Sequence, residues 1–535
     1  MSKTPQGYLC LVLHAHLPFV RHPEYQDCLE EHWFYEAMTE TYLPLIDVFD
    51  GLVREGIDFR VTMSVTPPLA SMMSDPLLQA RYRKHLEDLV ELAHKEVERT
   101  QWMPEFHETA KMYQRRFERC RHLFVDVHKQ DLIAAFRQLA EAGRLEIITC
   151  GASHGFLPLL QLHPQAARAQ VAVATQFHRE TFGRPSLGCW NGECGYYPGL
   201  DVILAEYGLR YFFVDAHGIL FADKQPRYGV YAPLFCPSGI AAFGRDLESS
   251  KSVWSAEEGY PGDPRYREFY RDIGYDLEFE YIRPYIHESG LRIATGIKYY
   301  KITGNDVDLS EKQPYVEDDA METAATHAGN FMFNRQKQVE WLRGFMDRPP
   351  IVVCPYDAEL FGHWWFEGPA FLDYLFRKIY YDQKDIVCIT PSEYLERHPK
   401  NQVATPSLSS WGYKGYCEVW LEGSNDWVYR HLHKGAERMT EMANRFPKAH
   451  GPLLRALKQA ARELLLAQSS DWAFIMKTNT MVEYAKRRTR EHLVNLANLY
   501  SMVMNGRIDE AFVSSLERRN NIFPNIDYRA FADRH

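Results

Sequence analysis

Residues 351–365 read Ile351-Val-Val-Cys354-Pro355-Tyr-Asp357-Ala-Glu359-Leu-Phe-Gly-His363-Trp-Trp. The opening run, Ile351–Cys354, is apolar without interruption, too short for a helix and rich in β-branched residues, which marks a strand covered on both faces. Two carboxylates, an imidazole and two indoles follow at once. The same succession recurs along the chain. Tyr8–Leu13 runs into His14-Ala-His16-Leu-Pro, and Leu145–Cys150 into Gly151-Ala-Ser-His154-Gly. Leu187–Trp190 runs into Asn191-Gly-Glu193-Cys-Gly, and Tyr211–Val214 into Asp215-Ala-His217-Gly. Phe59–Val65, Arg292–Ile297 and Ile386–Ile389 are further strand candidates, and helical stretches separate the runs. Strands alternating with helices predict an α/β fold, and seven or eight of them suffice to close a parallel barrel. The C-terminal strand ends of such a barrel share one rim, where active sites are built. One histidine or acid at a strand end is ordinarily a buried, satisfied side chain or a helix cap. Five strands delivering them together point to a site.

The rest of the chain bounds the reading. At 535 residues it has room for two or three packed units. Residues 75–143 are charge-rich and helical in pattern, too long for one crossover, and predict a helical insertion within a barrel spanning 1–400. After Asn401 the strand candidates stop. Amphipathic helices are predicted over Trp427–Phe446, Pro452–Ser469, Met481–Asn505 and Asp509–Asn520, giving a C-terminal helical domain over 401–535. The net charge of −10 excludes a phosphate-backbone binder. The apolar N-terminal run is broken by His14 and His16, too early for a signal segment or a membrane span. The ten cysteines form no CxxC pair, so neither a zinc knuckle nor a disulfide framework is expected. Reduced thiols in a cytoplasmic protein, monomeric or weakly self-associating, are the simplest expectation.

Two chemistries suit a rim of imidazoles and carboxylates. His14-x-His16 has the spacing to place two ligands near one metal ion. Alternatively, one carboxylate attacks a sugar while another gives and takes a proton. Trp190, Trp364 and Trp365 beside the carboxylates favour the sugar, because an indole face stacks on a pyranose and cannot ligate a metal.

At these residues the chain resembles glycoside hydrolase family 57, and within it the 1,4-α-glucan branching enzymes, over essentially its whole length. The motifs at His14-Ala-His16-Leu-Pro, Gly151-Ala-Ser-His154-Gly-Phe-Leu-Pro, Trp190-Asn-Gly-Glu193-Cys-Gly and Tyr356-Asp357-Ala-Glu359 resemble four ordered signature regions of that family. Ala461-Arg-Glu-Leu-Leu-Leu-Ala-Gln468-Ser-Ser-Asp471-Trp resembles a fifth. The resemblance implies a (β/α)7 barrel with a C-terminal helical domain, and a retaining reaction on an α-glucan without metal or other cofactor. Glu193 would be the nucleophile, its pKa held down by a nearby His or Arg, and Asp357 the general acid/base. Their carboxyls would lie about 5–6 Å apart, as double displacement requires. His14, His16 and His154 would bind the sugar beside the cut. Phe221–Gly244 resembles the family's flexible catalytic loop, whose important tyrosine is Tyr228 or Tyr231. Trp411, Trp420 and Trp427 resemble groove-lining tryptophans, and Asp471 would reach back into the cleft. Trp33, Trp254, Trp364 and Arg271 complete the substrate-binding candidates, with Tyr275 standing where some relatives carry a tryptophan. An α-amylase or 4-α-glucanotransferase on the same scaffold is the alternative.

Overall fold

A computed structural model describes residues 5–255, 258–304 and 306–533. Nine strands make one sheet: β1 (Gly7–Ala15), β2 (Val61–Val65), β3 (Leu145–Cys150), β4 (Gly188–Trp190), β5 (Tyr211–Val214), β6 (Leu234–Phe235), β7 (Ala241–Gly244), β8 (Ile351–Asp357) and β9 (Ile386–Cys388). Their order is β6-β7-β5-β4-β3-β2-β1-β8, with β9 beside the start of β1. Seven of them, β8-β1-β2-β3-β4-β5-β7, run parallel round the curl, and β6 turns back against β7. Two backbone bonds draw the free edges together: Asp246 N–H donates to Val353 O at 2.9 Å, and Ile351 N–H to Tyr231 O at 3.0 Å. This is the (β/α)7 barrel.

Every residue of β1 is buried, as a strand between two layers must be. The period of two divides it. Leu9, Leu11 and Leu13 join the apolar layer under the helices. Tyr8, Cys10 and Val12 join Ile148, Trp190, Phe213 and Val353 inside the barrel. His14 continues that inner row, level with Asp357 across the β1–β8 pair.

Between β2 and β3 the chain is helical: α1 (Pro76–Arg99), α2 (Pro104–Arg121) and α3 (Leu132–Glu141), the last packed on β3. A second excursion, not anticipated, leaves β7 and passes through short turns before α4 (Glu317–Arg343) leads into β8. It contains Arg292–Ile297, which is not a strand. Its alternation instead buries Ile293 and Ile297 in the main apolar cluster, while the Thr295 and Gly296 N–H groups donate to Asp272 at 2.9 Å; beside it, Tyr299 and Tyr281 donate to Glu96 of α1. The strand filling that place in the barrel is β7, inside the stretch expected to be a flexible loop. After β8 come α5 (Gly368–Tyr381), β9, and a run that crosses the barrel through bridges at Val403 and Ser409. The remaining helices are α6 (Trp427–Arg445), α7 (Gly451–Ala467), α8 (Ser470–Thr478), α9 (Val482–Asn505) and α10 (Glu510–Arg519). All but α8 match the expected helices within a few residues. Among the described residues no helix is long and apolar enough to cross a membrane, and all ten cysteines are free, eight of them buried.

Candidate active site

The strand ends open into a cleft of about 990 Å³ lined by His14, His16, Trp33, His154, Glu193, Trp254, Asp357, Trp364, Trp411, Trp420 and Asp471 among others. Glu193 sits on a tight turn, Gly192–Cys194, with φ +61° and ψ +26°. Cys194 and His154 also have positive φ. Left-handed backbone at non-glycine residues is costly and persists where surrounding contacts impose it. Here Gly195 allows the tight approach: a Cβ there would lie 2.8 Å from the Phe156 ring and 2.9 Å from Gly192 O.

The turn aims the Glu193 carboxylate at two donors from beyond the barrel. Trp411 Nε1 donates to Oε2 at 2.9 Å, and Ser470 Oγ donates to Oε1 at 3.0 Å. Trp411 N–H also donates to Glu193 O at 3.0 Å. Burial pushes the Glu193 carboxyl above its ordinary range, against which the Trp411 and Ser470 hydrogen bonds and the His16 charge act. The expectation that a His or Arg holds the Glu193 pKa down is corrected: burial leaves it raised, and among the opposing influences the two uncharged donors come before His16. Asp357 is in the opposite situation. Burial pushes it well above the carboxylate range, and the charges of Glu359 and Glu193 push it further, with Arg245 the opposing charge. One cleft thus holds an acid biased to keep its proton and a carboxylate supplied with donors.

The three imidazoles divide similarly. His16 Nε2 meets both Asp471 oxygens at 3.1 Å, and its Nδ1 meets Thr66 Oγ1 at 2.9 Å. Burial opposes a charge on His16, but Asp471 overcomes it and raises its pKa. Asp471 in turn is held at about 2, burial notwithstanding, by His16. His14 and His154 are driven well below the ordinary value, by burial first and then by neighbouring imidazoles. His16, His154 and Asp471 bring donor atoms within 4.8 Å of one another. The His16 and His154 rings stack, however, 3.8 Å between centroids and 14° between planes. Their in-plane lone pairs run side by side instead of converging on one point, as a tetrahedral ion requires.

Aromatic walls flank this centre. Trp364 is exposed and stacks on Phe269 at 4.5 Å, while Trp420 is buried against Phe156. Five expected residues do not line the cleft. Tyr231 sits beside the start of β8, at the far end of the barrel, with its hydroxyl taken by Asp246 and Gln338. Tyr228 packs nearby against Leu342 and Met346. Arg271 is occupied by Asp276, Leu309 O and the Tyr300 ring. Tyr275 is exposed on the second excursion, and Trp427 packs at the start of α6 under Arg490. Asp215 and His217 work behind the wall: Asp215 binds Arg245 at 3.1 Å, and His217 Nε2 lies 2.7 Å from Gly415 O.

Arg245, Glu359 and Ser470 were missed. Arg245 follows β7, so reading that short strand would have exposed it as another strand end. Glu359 lay within the quoted motif without a role. It accepts from Tyr42 and from His16 N–H at 3.1 Å. Ser470 stood beside Asp471, with nothing local to mark it.

Comparison with known proteins agrees with this geometry. The sequence profile of glycosyl hydrolase family 57 matches residues 10–336, which include every strand-end group of the cleft up to Arg245. The chain belongs to glycosyl hydrolase family 57. The profile described as 1,4-alpha-glucan branching enzyme, C-terminal, matches residues 431–531. The chain is 33% identical to the 1,4-alpha-glucan branching enzyme TK1436 of Thermococcus kodakarensis, over 97% of this chain and 77% of that protein. Among solved structures it resembles the alpha-amylase AmyC of Thermotoga maritima, 48% identical with TM-score 0.93 and covering 99% of both chains. It also resembles the family 57 branching enzyme of Pyrococcus horikoshii, 31% identical with TM-score 0.88, over 99% of this chain and 97% of that one.

Proposed function

We propose that the protein is a retaining 1,4-α-glucan branching enzyme, acting on storage glucans of the amylose or glycogen type. The observation that carries this is the pairing of Glu193, with a donor on each oxygen, and Asp357, biased towards its acid form, in one aromatic-walled cleft. Asp357 gives its proton to the glycosidic oxygen as Glu193 attacks the anomeric carbon, which breaks the α-1,4 bond and leaves a glucosyl ester on Glu193. The 6-hydroxyl of a second glucan then attacks that carbon. Asp357 takes the hydroxyl proton, and the Glu193 ester bond breaks to give an α-1,6 branch. His14, His16 and His154 line the cleft where the sugar is cut, and the tryptophans hold its neighbours. The free thiols support a cytoplasmic setting, and a cleft completed by this chain's own residues supports action as a monomer.

A second reading has its own support. The 48% identity to AmyC favours hydrolysis of the same bond, with water in place of the acceptor hydroxyl. Incubating the protein with amylose, then treating the product with a debranching enzyme, separates them. A branching enzyme forms many α-1,6 linkages per released reducing end. Reducing ends without linkages would make it an amylase.

A further inference from the structure

Glu193 Oε1 accepts the Ser470 hydroxyl at 3.0 Å, and the same oxygen of Ser470 lies 2.8 Å from His154 Nδ1. His154 Nε2 lies 2.9 Å from His14 Nε2. A serine hydroxyl has one proton to give and lone pairs with which to receive. When that proton points at an ionised carboxylate, His154 must carry its own proton on Nδ1 and donate it to Ser470. Its Nε2 is then a lone pair, which accepts from His14 Nε2–H. Three hydrogen bonds therefore run one way, from His14 to His154 to Ser470 to Glu193.

The far end of this string gives it a preference. His14 Nδ1 is buried and has no partner among the described residues. In the direction just given it is an unmet lone pair. A proton placed on Glu193 Oε1 reverses every bond: that oxygen donates to Ser470, Ser470 to His154 Nδ1, and His154 Nε2–H to His14. His14 then carries its proton on Nδ1, where no described residue accepts it. A buried donor without a partner is rarer in folded proteins than an under-satisfied acceptor. The reversed string is the costlier one. It also requires both rings to be neutral, which burial enforces on each.

We propose that Ser470 is a positioning residue for the nucleophile, joining Glu193 to the His14–His154 pair in a one-way hydrogen-bond string that holds Oε1 in place and keeps that oxygen proton-free. The proposal rests on the reading of Glu193 as the attacking group. Other ionisable groups facing Glu193 are His16 after β1, Asp471 on α8, Asp357 and Glu359 at the end of β8, and Arg245 after β7. The Ser470 hydroxyl bonds to none of these groups, so its removal takes no contact from them. The bond from Ser470 N–H to His154 O at 3.1 Å is made by the backbone and does not use the hydroxyl either.

The test is covalent labelling with a fluorinated α-maltosyl fluoride, whose leaving group needs no acid, followed by peptide mass spectrometry. Labelling rates are measured across pH for the wild-type protein, Ser470→Ala and Ser470→Thr, with thermal unfolding as the check on folding. In the wild type the label is expected on Glu193. Ser470→Ala is expected to label roughly ten- to a hundred-fold more slowly, the loss of one hydrogen bond to a charged group. Its acid limb should also move up by about one pH unit. Ser470→Thr, which keeps the hydroxyl, should return both towards wild type. A wild-type rate and acid limb in Ser470→Ala would overturn the proposal. So would a uniform loss with the acid limb unmoved and no rescue by threonine. A label on a different residue would remove the nucleophile reading itself, and this proposal with it.

Discussion

At the scale of single residues, the site's charges are sorted by a few contacts. His16 is the imidazole whose pKa is raised, because Asp471 outweighs burial there, whereas burial and the neighbouring rings lower His14 and His154, the latter against the pull of Asp471. The His16 value in the folded protein lies above its free value. Its share of stability is therefore full below about pH 6.5 and fades as pH rises through the raised value. Asp471, held at about 2, lies below its free value. Its share is full above about pH 4 and fades as pH falls towards 2. Asp471→Asn is accordingly expected to lose about 1–3 kcal/mol, most between about pH 4 and 6.5. Tm measured across pH checks this, and a deficit that does not vary with pH would contradict it. Glu193, Asp357 and the three histidines were legible in the sequence, because a strand end needs only a short apolar run followed by a polar side chain. The indole of Trp411 on Glu193 was not. Its position said that it faced a groove, and nothing local said which atom it would meet.

At the scale of elements, a π-helical turn, Met38–Tyr42, supports one wall of the cleft. Such turns re-aim neighbouring side chains, often at functional sites. This one sends Glu40 to His363 at 2.6 Å and to Arg267 at 3.4 Å, and Tyr42 to Glu359. The turn carrying His363 and Trp364 fits against it because Gly362 has no side chain. At φ +121°, a Cβ there would stand 1.9 Å from Glu40 O. Gly362→Ala is expected to destabilise the protein by about 3 kcal/mol or more and to lower turnover even where it still folds. Thermal unfolding and amylose turnover measured side by side read both effects, and a variant within about 0.5 kcal/mol of wild type would refute the fit. The same scale shows where pattern reading failed. β7 is Ala-Ala-Phe-Gly, short, small and set in a Gly/Pro-rich stretch, so it read as loop. Arg292–Ile297 has the alternation of a strand because Ile293 and Ile297 are buried while its backbone bonds to the Asp272 side chain. Alternation reports a half-buried segment, and a ladder is one way among several to bury half of it.

At the scale of the molecule, barrel and C-terminal helices share one apolar interior. Leu9 and Leu11 of β1 belong to the same buried cluster as Leu464, Leu465 and Trp472. Heating should therefore unfold the chain in a single calorimetric transition, with calorimetric and van't Hoff enthalpies equal; two resolved transitions would mean that the halves are held less tightly than this packing implies. The C-terminal helices were readable one at a time from their 3.6-residue stripes. Their meeting with the barrel was not, because periodicity says which face is apolar and not what covers it. The contacts that matter most at the site span 218 residues from Trp411 to Glu193 and 277 from Ser470 to Glu193. Translation gives that distance a direction in time. A nascent chain presents Glu193 long before either donor has left the ribosome, and Ser470 emerges well after Trp411. If Glu193 attacks as proposed, the chain is disarmed until residue 470 has been made, and any product cut short before it carries Glu193 without the Ser470 donor.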